Sequence, residues 1–271
     1  MPFVRTPQGI TLYCEAVGDG PPLLFLPGSD TDLRGHPEVT PFVDPLAGMF
    51  SMLAYDQRGL GSSPGGATDP TMADFADDVA GVLDTVGWER ADVVGYSFGG
   101  MVAQEAALRH PGRIRRLVLL CTSSGGAGGA SYPLHELHAL PDGERQQRFI
   151  ECWDLRRDRA WRDANPDDYR IALDELERVE AAAAEPRRAK GMTQQLAARR
   201  THDTYDRLPD ITAPTLIVGG THDGVAPTGN QAALESQIPG ARLELFDGGH
   251  RVLWEDPAAR RAIAAFLAGG A

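Results

Sequence analysis

Gly95-Tyr96-Ser97-Phe98-Gly99 is the stretch of this chain whose residue types could do covalent chemistry. It fits the pattern G-x-S-x-G. The apolar run Ala91–Tyr96 before it and the helical spacing of Met101–Arg109 after it supply the strand–turn–helix context that pattern requires. A serine used this way stands on a tight, strained turn with its Oγ clear of the backbone. Gly95 and Gly99 leave room for strand and helix to approach each other. The helix starting near Gly99 turns its positive end toward the turn, which favours a developing oxyanion. The competing reading is a glycine-rich turn in a nucleotide-binding unit, but neither G-x-G-x-x-G nor G-x-x-x-x-G-K-[ST] occurs.

A hydroxyl needs an adjacent base to attack at neutral pH. Of the seven histidines, only His250 follows a C-terminal strand in a tight turn, Asp247-Gly248-Gly249-His250. His110 sits at a helix end and reads as a cap. His135 and His138 lie one helical turn apart and read as a solvated face, since no third metal ligand accompanies them. His36, His202 and His222 stand alone in polar stretches. The base in turn needs an anion to fix its tautomer. Asp223, just after the strand Thr215–Gly219, ends that strand on the same side of a sheet as the serine turn. Asp247 and Asp256 are rivals by closeness to His250. Asp247 is too near along the same turn, and Asp256, before Pro257, reads as a helix cap.

Two amide N–H groups must receive the charge that develops on the attacked carbonyl oxygen. Phe98 is one candidate. The second comes from Leu26-Pro27-Gly28-Ser29-Asp30, where Ser29 is the first choice and Gly28 the alternative. Asp56 and Arg58, within Tyr55-Asp56-Gln57-Arg58-Gly59-Leu60-Gly61-Ser62-Ser63, read as braces of a neighbouring loop rather than as carboxylate binders.

These residues need a frame. Ile10–Ala16 and Pro22–Leu26 read as early strands joined by a hairpin turn at Gly18-Asp19-Gly20. Phe50–Tyr55, Ala91–Tyr96 and Arg116–Thr122 follow, apolar enough to be buried on both faces. Met72–Val86 has helical spacing. Ser123–Ala130 is a flexible exit. From about Leu134 to Tyr205 the chain shows helical patterns only, over Glu144–Arg162, Pro166–Glu185 and Ala189–His202. That stretch makes an insertion of roughly seventy to eighty residues. Strands return at Thr215–Gly219 and Arg242–Leu245, separated by a helix over Thr228–Gln237. Pro257 opens a last helix, Ala258–Leu267. The fold class is therefore α/β, with a mainly parallel sheet. Its core is split into residues 1–124 and 208–271 around a helical cap at 125–207. Trp153 and Trp161, with Leu155 and Tyr169, are candidates to line a substrate pocket from the cap, and His36 from the loop after Pro22–Leu26.

Composition narrows the partners. The chain has 271 residues, 42% hydrophobic, with a formal net charge of -12. That surface repels phosphate backbones and anionic lipid, so nucleic acid and membrane are excluded as expected partners. A small-molecule substrate remains, and a homodimer is left open. Three cysteines, Cys14, Cys121 and Cys152, show neither metal nor redox spacing, which suits a reducing cytoplasm. No cofactor and no metal is called for.

The chain resembles the α/β-hydrolase fold superfamily. It is similar to the capped group holding 3-oxoadipate enol-lactonases, proline iminopeptidases, haloperoxidase-type esterases and meta-cleavage C–C hydrolases. The resemblance rests on Leu26-Pro27-Gly28-Ser29, on Asp56 to Ser62, on Gly95 to Gly99, on Gly219 to Asp223 and on Gly248-Gly249-His250. It implies an eight-stranded, mostly parallel sheet flanked by helices, with the cap after the sixth strand. It implies nucleophile, acid and base roles for Ser97, Asp223 and His250, and oxyanion donors at Phe98 and Ser29. Pro27-Gly28 stands where the family usually has His-Gly. The function implied is hydrolysis of an ester, lactone or thioester through an acyl-enzyme. Alternatives are C–C hydrolysis, decarboxylation or cofactor-free ketone chemistry on the same residues. A further alternative is a receptor that keeps a hydrolase pocket.

Overall fold

The computed structural model describes residues 3–34, 45–66, 68–137, 139–183 and 186–269. Its strands are β1 (Phe3–Arg5), β2 (Thr11–Val17), β3 (Pro22–Leu26), β4 (Ser51–Tyr55), β5 (Ala91–Tyr96), β6 (Ile114–Leu120), β7 (Thr215–Gly220) and β8 (Arg242–Phe246). They form one eight-stranded sheet in the order β1-β2-β4-β3-β5-β6-β7-β8. β1 and β2 pair antiparallel, as do β2 and β4, and every later pairing is parallel. The helices are α1 (Met72–Val86), α2 (Phe98–Arg109), α3 (Leu134–Leu137), α4 (Asp142–Trp153), α5 (Arg159–Ala164), α6 (Pro166–Ala183), α7 (Pro186–Arg200), α8 (Thr228–Gln237), α9 (Val252–Glu255) and α10 (Pro257–Leu267).

The apolar strands are buried on both faces, which explains their unbroken hydrophobic runs. Alternate side chains divide between two clusters. Leu24, Leu26, Val93, Leu117 and Leu119 pack with α1 and α2 on one face. Leu23, Phe25, Val94, Val118 and Leu120 pack with α10 on the other. Each such side chain contributes about 1.5–3 kcal/mol by leaving water. Local signals fix the helix starts. Thr71 and Asp74 form a reciprocal capping box on α1. Asp256 caps α10 ahead of Pro257.

Two expectations are corrected. Gly18-Asp19-Gly20 does not close a hairpin, because β4 lies between β2 and β3 and pairs with both. Apolar runs report which segments are strands, not which strands pair. The expected helix over Glu144–Arg162 is broken between α4 and α5. Asp154 accepts from the Arg156 backbone N–H and guanidinium, and Asp158 caps α5 through Trp161 N–H. In the break, the carbonyls of Cys152 and Trp153 accept from Gly224 and His250 N–H, and Leu155 N–H donates to the His222 carbonyl. Tertiary bonds to two loops of the sheet thus replace helical ones. β1 was missed, since three residues are too short to show alternation.

Candidate active site

β5 ends at Tyr96, and Ser97 turns the chain into α2 with φ 53° and ψ −114°. The left-handed φ is costly for a residue with a Cβ, about 1–3 kcal/mol, and surrounding bonds must hold it. Ser97 N–H donates to the Leu120 carbonyl at 2.9 Å, and Thr122 Oγ1 donates to the Ser97 carbonyl at 2.8 Å. The flanking glycines are sterically required. A Cβ on Gly95 would meet the Ala103 side chain and the backbone of Gly99 and Gly100; one on Gly99 would collide with the Leu26 carbonyl.

His250 follows β8. Its Nε2 lies 3.0 Å from Ser97 Oγ and its Nδ1 lies 2.8 Å from Asp223 Oδ2. Asp223 follows β7, and its other oxygen accepts N–H bonds from Val225 and Ala226. The Tyr96 ring lies 5.2 Å from the imidazole and is itself edge-on to Trp254. Ser97, Asp223 and His250 are all buried, at 8%, 1% and 5% exposure, so the line of hydroxyl, imidazole and carboxylate lies in a low dielectric. The sequence rivals are otherwise engaged. Asp247 faces His222 and Arg156, and Asp256 caps α10.

The Cys121 thiol lies near this line: Cys121, Asp223 and His250 each place one donor atom within 4.8 Å of the others. Burial pushes that thiol well above its usual range. Both imidazole nitrogens are already engaged, so a cation there would have to displace the hydrogen-bonded line.

The loop after β3 lies beside the serine turn. A Cβ on Gly28 would stand 3.1 Å from the Tyr96 ring and 3.5 Å from Ser97 Cβ. No hydrogen bond among the described residues uses the N–H of Ser29 or Phe98. Asp30, next in the chain, has φ 53° and donates its N–H to Gln195 Oε1 of α7 at 2.9 Å. Gln195 Nε2 donates to Gln57 Oε1, and Gln57 Nε2 donates to the Pro27 carbonyl. Arg188 of α7 pairs with Asp30 and Asp32. These partners of the loop were not legible in the sequence, since Gln57 and Gln195 lie 138 positions apart.

Asp56 and Arg58 brace loops, as read from the sequence. Asp56 accepts from Leu33 and Ser62 N–H, and burial raises its carboxyl to about 6. Arg58 pairs with Asp78 of α1 through two hydrogen bonds. Among the pocket candidates, Trp153 packs its ring against Phe149 and under Arg251. The Trp161 ring meets Arg157, and that of Tyr169 meets Arg162. Leu155 is exposed. His36 and His138 lie outside the described residues.

Residues 21–173 match the family model of the alpha/beta hydrolase fold. The chain belongs to this family. A Rhizobium rhizogenes relative that carries the provisional name carbamate hydrolase RutD is 29% identical over 80% of this chain and 82% of its own. A 2-hydroxy-6-oxononadienedioate/2-hydroxy-6-oxononatrienedioate hydrolase of Cupriavidus pinatubonensis is 29% identical over 98% of this chain and 94% of its own. The crystal structure of a Pseudomonas aeruginosa hydrolase superposes with a TM-score of 0.77 at 27% identity, covering 99% of this chain and 98% of that one. The match to that structure therefore runs along the whole length of the fold. No helix among the described residues is long and apolar enough to cross a membrane.

Proposed function

We propose that this protein is a serine hydrolase that cleaves a small-molecule ester, lactone or thioester through an acyl-enzyme on Ser97. The reading rests on one observation, the unbroken line from Ser97 Oγ through His250 to Asp223 at 3.0 and 2.8 Å. His250 Nε2 takes the hydroxyl proton as Oγ attacks the carbonyl carbon. Asp223 holds the tautomer and stabilises the imidazolium. The oxyanion enters between the amides of Phe98 and Ser29, with Gly28 as the alternative to Ser29. His250 returns the proton to the leaving group, then activates water to release the acid. Residues 125–207 act as a cap that decides which substrates reach the serine.

A fluorophosphonate should label Ser97 stoichiometrically. Ser97→Ala should stay folded, lose labelling and lower kcat on an activated ester by about 10⁴-fold or more. Wild-type turnover in that variant would end the proposal.

A second reading keeps the residues and changes the bond broken. The Cupriavidus pinatubonensis relative is named for an oxo-dienedioate, a molecule whose 6-oxo group is a ketone. Attack there would release a carbon leaving group. Serine labelling without turnover of esters, lactones, thioesters or carbamates would favour it.

A further inference from the structure

Arg199, the next-to-last residue of α7, is 7% exposed, so it is a charged side chain taken almost wholly out of water. Among the described residues only Nη1 finds a partner, donating to the Tyr132 carbonyl at 2.8 Å. Nε and Nη2 are buried without a hydrogen-bond partner. Burial lowers the group to about 10, which leaves it charged at neutral pH. An unpaired buried cation is costly, and native folds keep one only where something else meets it.

The unpaired edge has a recognisable use. Nε and Nη2 form the side of the guanidinium that takes both oxygens of a carboxylate. Among the described residues the same edge does so four times: Arg58 on Asp78, Arg109 on Asp77, Arg115 on Asp92, and Arg156 on Asp154. Arg199 presents that edge with no carboxylate among the described residues to receive.

Its position points to a ligand. Arg199 lies near Cys152, whose carbonyl accepts from Gly224, beside Asp223. Tyr132, which holds Nη1, donates its own N–H to the Val225 carbonyl. Arg199 therefore lies beside the loop that follows β7 and carries Asp223, at the end of the sheet where folds of this kind receive ligands. His202, bonded through its N–H to the Arg199 carbonyl, is 6% exposed. The Ser123 backbone beyond β6 lies against its ring.

We propose that the Nε–Nη2 edge of Arg199, with His202 beside it, is a subsite that receives a carboxylate of the substrate, so that the molecule cleaved at Ser97 carries a free acid group. The identity of the bond cleaved rests on the serine-hydrolase reading; the carboxylate site does not.

The test is a series of 4-nitrophenyl esters of graded acyl length, each ending either in carboxylate or in methyl. The wild type should favour the carboxylate member at one length by about 10–100-fold in kcat/KM, as charged hydrogen bonds imply. Arg199→Met should bring that ratio close to one. Arg199→Lys should keep part of it, because a point charge survives while the planar fork is lost. A ratio near one at every length in the wild type, or an unaltered ratio in Arg199→Met, overturns the proposal. Binding is read separately by calorimetry with linear dicarboxylates on Ser97→Ala, with and without Arg199→Lys. Binding weakened by the second substitution supports the subsite even if no ester is cleaved, and no binding refutes it. Fluorophosphonate labelling reports independently on Ser97. Should Arg199→Met not fold, the lysine variant and calorimetry decide.

Discussion

Ser97 occupies a backbone conformation that an isolated serine avoids, and its neighbours make that conformation the cheapest available. The two glycines are part of the device: with side chains there, α2 could not close onto β5 and β3. Gly99→Ala should therefore cost about 3 kcal/mol or more, among the larger single-residue effects. Gly229, on α8, is the control, since a Cβ there meets nothing within 4 Å. Gly229→Ala should be neutral or stabilise by up to about 1 kcal/mol, the helix-propensity difference. Urea midpoints of both variants measure this. Similar midpoints would mean that the elbow has slack the geometry does not show. Asp223 and His250 are held differently: Asp223 by amides of its own loop, His250 by Asp223 and by the Trp153 carbonyl of α4.

At the scale of elements, α7 reaches across to the loop that follows β3. Its Gln195 accepts from Asp30 N–H and, through Gln57, holds the Pro27 carbonyl, which brackets Gly28 and Ser29. A donor displaced by about 1 Å can cost on the order of 100-fold in rate. Gln195→Leu should lower kcat on an activated ester by about 10–100-fold with a smaller change in KM, since the loop's aim suffers more than substrate binding. Unchanged kcat would show that the loop holds its own shape. The break between α4 and α5 belongs at this scale as well. Backbone groups of 152–155 that a continuous helix would use internally are spent on the Asp223 and His250 loops, which ties the insertion to the site at a second place.

For the whole molecule, pH acts on stability through His202. Burial lowers His202 to about 3 from 6.5, so the folded chain keeps it neutral while the unfolded chain protonates it. Stability from this residue is complete above about 6.5 and is lost as pH falls toward 3, because the unfolded state then binds more protons. Between pH 7 and 5 the loss is about 2 kcal/mol. Asp56, raised to about 6, acts in the opposite sense, protonating first in the fold. The informative quantity is thus the difference between wild type and His202→Gln, which should shrink by about 2 kcal/mol over that interval in denaturant titrations. A constant difference would mean that His202 is solvated or protonated in the fold.

Ser97, Asp223 and His250 could be singled out from the sequence because each follows a strand in a turn whose residue types leave few other uses. The unbroken apolar strands and the capped, periodic helices were legible for a related reason: burial on two faces and local capping are properties of contiguous residues. Tertiary structure alone decided that β4 separates β2 from β3, that the expected 144–162 helix breaks, and that Gln195 meets the loop after β3. It also left the outer edge of Arg199 unpaired. Strand order, docking bonds and the satisfaction of a buried charge depend on partners far away in the chain, and spacing along a sequence does not encode which distant groups will meet.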